Sequence, residues 1–204
     1  MNKKLEYILN MYPNAKCELE YTSLFTLLIA IVLSAQTTDK KVNETTKILF
    51  AKYQTIQSLA DANLEDVKSI LKHLGMYQVK SKNIVEIAKI VHYTFNDNVP
   101  CNREILSTFP GVGNKTTNVL LAEGFKIPSF PVDTHVNRVS KRLGFARKKD
   151  SVEIVEQKMK KEIPEDKWIQ MHHSIIFFGR YFCKAIHPEC DKCALKDSCN
   201  KDNY

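Results

Sequence analysis

Four cysteines near the C-terminus carry the most specific chemical pattern in the sequence. Cys183, Cys190, Cys193 and Cys199 follow one another as Cys-x6-Cys-x2-Cys-x5-Cys. Four thiolates at this spacing repel one another unless a metal ion or a metal cluster neutralises them. Structural zinc also takes four cysteines, but its sites usually pair two Cys-x2-Cys knuckles, and this array has only one. The uneven spacing favours a [4Fe–4S] cluster, and zinc remains the alternative.

A second candidate site is the sequence Phe-Pro-Gly-Val-Gly-Asn that begins at Phe109. A helix is predicted to end there, because Pro110 cannot continue it. Gly111 and Gly113 permit backbone angles that other residues resist, and a new helix is predicted to begin near Asn114, its candidate N-cap. Such a turn presents N–H groups to an anion, and on a basic protein that anion is expected to be a nucleic-acid phosphate. A plain turn between two helices is the alternative.

Lys115 and Asp133 are the two side chains whose positions suit catalysis. Lys115 lies at the start of the second predicted helix, where the helix dipole and closure of a bound site both favour a neutral amine. A neutral amine can attack an electrophilic carbon and form a Schiff base, although a lysine here could also contact a phosphate. Asp133 precedes another predicted helix, so it is a candidate N-cap. At a domain junction its carboxylate could also stabilise a cationic intermediate or move protons.

The elements that must position these residues are helices. Apolar residues recur at three- and four-residue steps through most of the chain, which predicts an all-α fold of about ten short helices. The longest apolar run, Leu24 to Leu33, has about half the length that spans a bilayer and is predicted to be a buried helix. The proline-rich segment that begins at Lys126 is the candidate crossing between two helical lobes.

Composition excludes several classes of protein. The 30 basic and 23 acidic side chains leave a net charge of +7, which favours an acidic partner. With 6 Gly and 7 Pro, the chain is neither of low complexity nor collagen-like. The N-terminal residues lack the apolar core of a signal peptide. We therefore expect a cytoplasmic protein, in which clustered cysteines bind metal rather than form disulfides.

Together these features resemble the endonuclease III family of DNA glycosylases, within the helix-hairpin-helix superfamily. The resemblance begins at the segment 24–39, which ends in Ser-Ala-Gln-Thr-Thr-Asp, and includes the hairpin with Lys115, the sequence Val-Asp-Thr-His at 132–135 and the cysteine array. It thus covers essentially the whole chain. Two lobes are predicted: a central domain of residues 20–126 containing the hairpin motif at about 105–124, and a second domain of residues 1–19 plus 127–204 containing the cluster loop 183–199.

The resemblance implies a bifunctional enzyme that flips an oxidised or saturated pyrimidine out of duplex DNA into a cleft between the lobes. Lys115 would attack C1′ of the deoxyribose, displace the base and become a Schiff base. A β-elimination would then break the strand 3′ to the abasic sugar. Asp133 would stabilise the developing oxocarbenium charge, and Gln36 matches the family residue that fills the space vacated in the duplex.

Further assignments follow from the same resemblance. Backbone phosphates would be bound by the hairpin N–H groups of Gly111, Val112 and Gly113. A structural [4Fe–4S] cluster on the four cysteines would hold a loop that carries Lys192 and Lys196 against DNA. The intercalating loop should lie at residues 75–80, and the sequence does not single out one of its side chains.

One departure from the family pattern lies beside the predicted nucleophile. The usual Leu-Pro-Gly-Val-Gly-Arg-Lys-Thr-Ala appears at residues 109–117 as Phe-Pro-Gly-Val-Gly-Asn-Lys-Thr-Thr, so Asn114 removes one charge from the phosphate contact. The alternatives are a monofunctional adenine or mismatch glycosylase, which would lack Lys115, and a non-catalytic helix-hairpin-helix DNA-binding module with a zinc tail. We expect a monomer that acts on duplex DNA with damaged pyrimidines or abasic sites, in the cytoplasm with the bacterial nucleoid.

Overall fold

The computed structural model describes residues 1–200 of the chain, and this part is all helical, which confirms the fold class. Short α-helices are joined by loops, and π-helical turns extend α6 and α11 at Ile90–Thr94 and Phe178–Phe182. Within the described residues, no helix has the length and apolar character needed to cross a membrane. The helices are α1 Lys3–Met11, α2 Leu24–Leu33, α3 Asp39–Lys52, α4 Ile56–Ala60, α5 Leu64–Leu71, α6 Tyr77–Lys89, α7 Arg103–Leu106, α8 Asn114–Glu123, α9 Thr134–Arg142, α10 Val152–Glu162 and α11 Trp168–Phe177.

The chain divides into two compact units. The hairpin unit comprises residues 18–125, and the cysteine unit comprises residues 1–17 together with residues 126–200 of the described chain. The domain boundaries predicted from the sequence lie within two residues of these divisions. The second division falls at Lys126, where the proline-rich segment begins.

The hairpin unit is organised around α2. The N-cap of this helix is Ser23, whose side chain forms a reciprocal capping box with Thr26. Nearly all of α2 is buried, as the apolar run predicts, so it needs neighbours on several sides, and it packs against α3, α6 and α8. Gly124 allows the end of α8 to approach closely, because a Cβ there would lie 2.6 Å from Cδ2 of Leu24. This packing fixes the helix that follows the hairpin turn.

The cysteine unit has its own hydrophobic core, to which the N-terminal helix α1 contributes. Helix α11 packs against α1 and α9, and α10 packs against α9. Gly179 brings the π-helical turn after α11 close to α9, since a Cβ there would lie 3.0 Å from the His135 Cβ. Helix α9 is therefore held directly against the chain that leads to the first clustered cysteine. The helical core residues include Leu5, Ile8, Val136, Val139, Val155, Met159, Met171 and Ile175.

Candidate functional site

The turn between α7 and α8 depends on one glycine more than on the other. Gly111 has φ +77°, in the left-handed region, and a Cβ on it would lie 2.5 Å from Nδ2 of Asn83. This confirms the interpretation of Gly111. The same interpretation of Gly113 was wrong, because its backbone is extended (φ −98°, ψ −175°), a conformation that any residue adopts. Among residues 1–200, no atom lies within 4 Å of a Cβ built on Gly113, so the missing side chain leaves open space at the start of α8.

The first half of the motif is shorter than predicted. Helix α7 ends at Leu106 rather than at Phe109. The N–H of Val112 donates to the Phe109 carbonyl at 3.0 Å, and the Val112 side chain is only 5% exposed. Because this N–H is already bonded inside the turn, the prediction that Val112 donates to a phosphate is contradicted; Val112 anchors the turn instead. The predicted phosphate contacts reduce to the N–H groups of Gly111 and Gly113.

Helix α8 begins without a side-chain cap. Gly113 occupies the N-cap position, so the prediction of Asn114 as N-cap was wrong. Asn114 lies in the first turn, where its Oδ1 accepts a hydrogen bond from Nη1 of Arg103 at 3.2 Å. The N–H groups of a helix's first turn have no partner within the helix. At α8 they therefore remain available to an anion at the positive end of the helix dipole.

Two cationic side chains lie at this open helix end. Lys115 is exposed in the first turn of α8. Arg103, from α7, is also exposed and donates to the side chains of Asn114 and Asn118. Its guanidinium therefore lies beside the position at which this chain departs from the family pattern. Sequence reasoning missed this replacement of charge, because it comes from a different helix.

Asp133 caps α9, as predicted. Its Oδ1 accepts a hydrogen bond from the Val136 N–H at 2.7 Å, and the residue is half-buried. The cap fixes the carboxyl group through one oxygen and does not use the other. Burial lowers the pKa of His135 in the first turn of the same helix, and the nearby Asp133 carboxylate opposes that effect. The start of α9 thus holds a carboxylate in a defined position beside an imidazole that resists protonation.

Two arginines on α9 bind the chain that enters the cysteine array. Arg138 Nη2 donates to the carbonyls of Gly179 at 2.7 Å and Cys183 at 3.1 Å. Arg142 is buried and donates through Nη1 to Sγ of Cys183 at 3.5 Å and to the Lys184 carbonyl at 2.7 Å. One helix therefore carries Asp133 at its start and supports the cysteine array along its length. Neither arginine was identified from the sequence.

The four predicted ligand cysteines line one recess. About 300 Å³ of space there is not filled by protein atoms, part of it open to solvent, and Leu143, Phe178 and Phe182 supply apolar walls. All four cysteines are partly buried. Burial raises the pKa of the Cys193 thiol, and the three other thiols raise it further. This is the mutual repulsion that the spacing implied, which a bound cationic group would relieve.

The chemistry of the recess suits an iron–sulfur group. Within residues 1–200, no three Cys, His, Asp or Glu side chains converge to hold a single metal ion. The four cysteines line one recess, and four thiolates are the ligand set of an iron–sulfur cluster. The Arg142 hydrogen bond to Cys183 Sγ adds the kind of donor that surrounds such cluster ligands.

The two lysines predicted to face DNA from the cysteine loop are exposed but paired. Lys192 Nζ lies 3.2 Å from Oε2 of Glu189, and Lys196 Nζ lies 2.8 Å from Oδ1 of Asp191. Exposed ion pairs contribute little stability, so a phosphate could replace either carboxylate. These pairs nevertheless make the loop less cationic than its lysines suggest.

Two exposed residues of the hairpin unit have left-handed backbones on neighbouring loops. Gln36, between α2 and α3, has φ +54°, and Met76, which immediately precedes α6, has φ +59°. A Cβ on Gly75 would lie 4.0 Å from the Gln36 carbonyl oxygen, so the loops are adjacent. The predicted intercalating loop 75–80 is shorter than expected, because α6 begins at Tyr77. Met76, which the sequence did not single out, is 57% exposed and precedes the helix, whereas Val79, 51% exposed, lies within it.

A family model described as HhH-GPD superfamily base excision DNA repair protein matches residues 29–165 of this chain. The matched span contains the hairpin turn, Lys115, Asp133 and all of α9. The match therefore covers the two predicted catalytic residues and the helices that position them.

Full-length relatives are also similar. The endonuclease III of Bacillus subtilis (strain 168) is 43% identical over 203 residues, which cover 98% of this chain and 93% of that protein. A non-covalent endonuclease III–DNA complex superimposes with a TM-score of 0.93 and 45% identity, covering 97% of this chain and 92% of that one. A trapped endonuclease III–DNA covalent intermediate, an estranged-adenine complex, has the same TM-score and identity and covers 96% and 92%.

Proposed function

This chain belongs to the endonuclease III family of base excision DNA repair proteins, and from that premise we propose that it removes oxidised or saturated pyrimidines from duplex DNA and cleaves the abasic strand. The observation that carries the proposal is Lys115, an exposed amine in the first turn of a helix that has no side-chain cap. The likeness to a relative trapped as a covalent intermediate with DNA supports an enzyme that bonds to its substrate.

Lys115 is the nucleophile in this proposal. The lone pair of its neutral amine attacks C1′ of the deoxyribose, the N-glycosidic bond breaks, and the base leaves with the bonding electrons and takes up a proton. Opening of the sugar gives a protonated Schiff base between Nζ and C1′. Loss of a proton from C2′ then expels the 3′ phosphate by β-elimination. Water finally releases the sugar from Lys115.

Asp133 is the carboxylate that supports this reaction. The cap to the Val136 N–H holds one oxygen in place, so the negative charge is positioned before substrate binds. A fixed charge stabilises a developing oxocarbenium ion more effectively than one that must first reorient. The same carboxylate can assist the proton transfers that follow.

DNA binding in the proposal uses the open start of α8 and its neighbours. The N–H groups of Gly111 and Gly113 contact a backbone phosphate, and the guanidinium of Arg103 adds the charge that Asn114 lacks. Gln36 fills the space left by the flipped nucleotide. Met76 enters the base stack as the exposed apolar wedge. Lys192 and Lys196 contact the DNA backbone after exchanging their carboxylate partners for phosphates.

The cofactor in the proposal is one [4Fe–4S] cluster. Its ligands are the four thiolates of Cys183, Cys190, Cys193 and Cys199, which line a single recess. When bound, it supplies four iron–thiolate bonds that fix the loop 183–199, and it takes no part in base removal. Arg138 and Arg142 orient this loop against α9 in either case. The protein acts as a monomer in the cytoplasm of a bacterial cell.

Trapping of the Schiff base tests the catalytic assignment. The protein is incubated with a duplex that contains one thymine glycol, in the presence of borohydride. We expect wild type to give a covalent protein–DNA adduct and Lys115→Gln to give none, with product formation lowered by at least about 10³-fold. Lys89→Gln removes an exposed lysine of the same unit and should trap as wild type does.

Each of the other outcomes would indicate a different function or a different nucleophile. Base release without any adduct would identify a monofunctional glycosylase. Binding without base release would identify a DNA-binding module. An adduct that persists in Lys115→Gln would assign the nucleophile to another residue.

Metal analysis tests the cofactor separately. Protein purified without oxygen should be brown and contain about four irons per chain, with loss of the colour in Cys193→Ser. Cys101 is exposed and lies in the hairpin unit, away from the array in sequence, so Cys101→Ser should retain the colour and the iron. A colourless protein with one bound zinc would refute the cluster.

A further inference from the structure

A buried lysine joins the loops that carry Gln36 and Met76. Lys80, near the start of α6, is only 4% exposed. Its Nζ donates to the Ala35 carbonyl at 2.7 Å and to Thr37 Oγ1 at 2.8 Å. These acceptors belong to the residues on either side of Gln36. Lysine is almost never fully buried unless its ammonium is paired, so the two hydrogen bonds explain how this lysine is tolerated inside the unit.

The two loops need such support because both are conformationally unfavourable. Gln36 and Met76 are non-glycine residues in the left-handed region, and such residues persist only where neighbouring contacts hold them. Met76 is the N-cap residue of α6, and its side chain forms no capping hydrogen bond. Lys80 lies four residues after Met76 in the chain, and its side chain reaches the loop that contains Gln36. This one side chain therefore fixes the distance between the Met76 loop and the Gln36 loop.

The position of the ammonium is electrostatically favourable. Ala35 lies two residues beyond the end of α2, close to the partial negative charge of that helix C-terminus. The last turn of α2 contains no basic residue. The ammonium of Lys80, from α6, provides a positive charge at this position. Its hydrogen bonds connect α6 to the chain that follows α2, on either side of Gln36. Burial lowers the pKa of Lys80.

We propose that Lys80 is a positioning residue that holds Gln36 and Met76 in one arrangement, ready to enter the duplex where a nucleotide is extruded. The inference rests on the proposed function, because it concerns how the enzyme occupies a lesion. Loops that are ordered before binding do not lose conformational freedom on the DNA. Loss of Lys80 should therefore weaken lesion binding, while phosphate contacts to undamaged duplex are unaffected.

The test compares two duplexes and two lysine variants. Lys80→Met removes the donors but keeps a long apolar stem, and Lys89→Met removes the same charge from an exposed position on the same helix. We expect Lys80→Met to bind a duplex with a tetrahydrofuran abasic-site analogue about tenfold more weakly. Its affinity for undamaged duplex should match that of Lys89→Met. A 2-aminopurine opposite the analogue should report less unstacking with Lys80→Met.

A double-mutant cycle separates positioning from general stability. The two positioned residues form one member of this cycle: if Lys80 acts through Gln36 and Met76, then adding Lys80→Met to Gln36→Ala/Met76→Ala should weaken lesion binding no further. Additive losses, an equal loss on both duplexes, or unchanged lesion binding would each overturn the inference. Thr37→Val removes one acceptor with little change of shape. It should show the same selective loss, but smaller, and it keeps the test decisive if Lys80→Met does not fold.

The outcome is distinguishable from failure of the proposed function. Absence of adduct trapping by wild type would remove the enzymatic assignment whatever Lys80 does. Normal trapping by wild type, with lesion binding unaltered in both Lys80→Met and Thr37→Val, would overturn only the role of Lys80.

Discussion

Helices α8 and α9 begin with almost the same backbone and opposite side-chain chemistry. The residue before α8 is Gly113, with φ −98° and ψ −175°, and the residue before α9 is Asp133, with φ −97° and ψ −173°. Asp133 closes its helix with a carboxylate, whereas Gly113 provides no side-chain hydrogen bond. The backbone would permit a capping residue at either position.

This difference assigns different tasks to the two helix starts. The open end of α8 leaves N–H donors and a positive dipole for an anion from outside the chain. The closed end of α9 uses one of the corresponding donors, the Val136 N–H, internally and keeps a negative charge fixed in one orientation. One helix start is therefore suited to binding a phosphate, and the other to stabilising a positive charge on the substrate.

Replacing Asp133 should give the largest loss of activity. Two replacements of this residue also separate the role of its charge from its role as a cap. Asn caps helices about as well as Asp, so Asp133→Asn should keep the stability of wild type while kcat falls by about 10² or more. Asp133→Ala should lose kcat to a similar extent and also about 1 kcal/mol of unfolding free energy. The measurements are single-turnover base release and chemical denaturation.

The comparison between the two Asp133 variants is decisive. Asp133→Asn with near wild-type kcat would mean that the carboxylate acts only as a cap. In that case Asp133→Ala would lose activity only as far as it loses stability.

Adding a capping side chain at the start of α8 should weaken DNA binding, and this effect should be smaller than the loss of kcat at Asp133. Gly113→Asp can adopt the extended backbone, and its Cβ meets no atom of the described part of the chain within 4 Å. The new carboxylate should cap α8, add a few tenths of a kcal/mol to stability and repel phosphate. We expect the affinity for duplex DNA to fall at least about tenfold, since hydrogen bonds to charged groups contribute about 1.5–3 kcal/mol.

Gly113→Asn serves as the matched control for charge. It caps α8 in the same way without a negative charge, so its loss of affinity should be intermediate and should depend less on salt concentration. If Gly113→Asp bound DNA as wild type does, the start of α8 would not be a phosphate site.

The helices were predictable from sequence because local patterns determine them. The run Leu24–Leu33 lies between a Ser cap and polar residues, and α2 has these bounds. Asp133 was predicted as an N-cap for the same local reason. The prediction failed at Asn114, since its side chain binds Arg103, which lies eleven residues away in the sequence on another helix. Contacts of this kind are not encoded in local propensity.

The burial of Lys80 could have been predicted from the sequence, because its helical spacing indicates it. Lys80 shares helical spacing with Ile84, Ile87 and Val91, all buried, so periodicity places it on the apolar face. A lysine is normally assigned to the surface, and its buried acceptors come from a loop more than forty residues earlier. The N–H of Val112 was misassigned for a similar reason, because a hydrogen bond inside the turn has no signature in residue type.

The smallest expected effect concerns the imidazole beside the cap of α9. Burial lowers the pKa of His135, and the Asp133 carboxylate raises it in opposition. Below about pH 6.5, the unfolded chain therefore binds more protons at this residue than the folded chain does. The contribution of His135 to stability falls as pH falls from 6.5 towards its lowered folded value. Replacing Asp133 by Asn removes the opposing charge, so the His135 pKa should fall further.

Hydrogen exchange at the imidazole C2 position of His135, measured by mass spectrometry across pH, reports this pKa directly. A His135 pKa that is the same in wild type and Asp133→Asn would mean that the capping carboxylate exerts no field beyond its own hydrogen bond, and would weaken its assignment as the charge that stabilises an oxocarbenium ion.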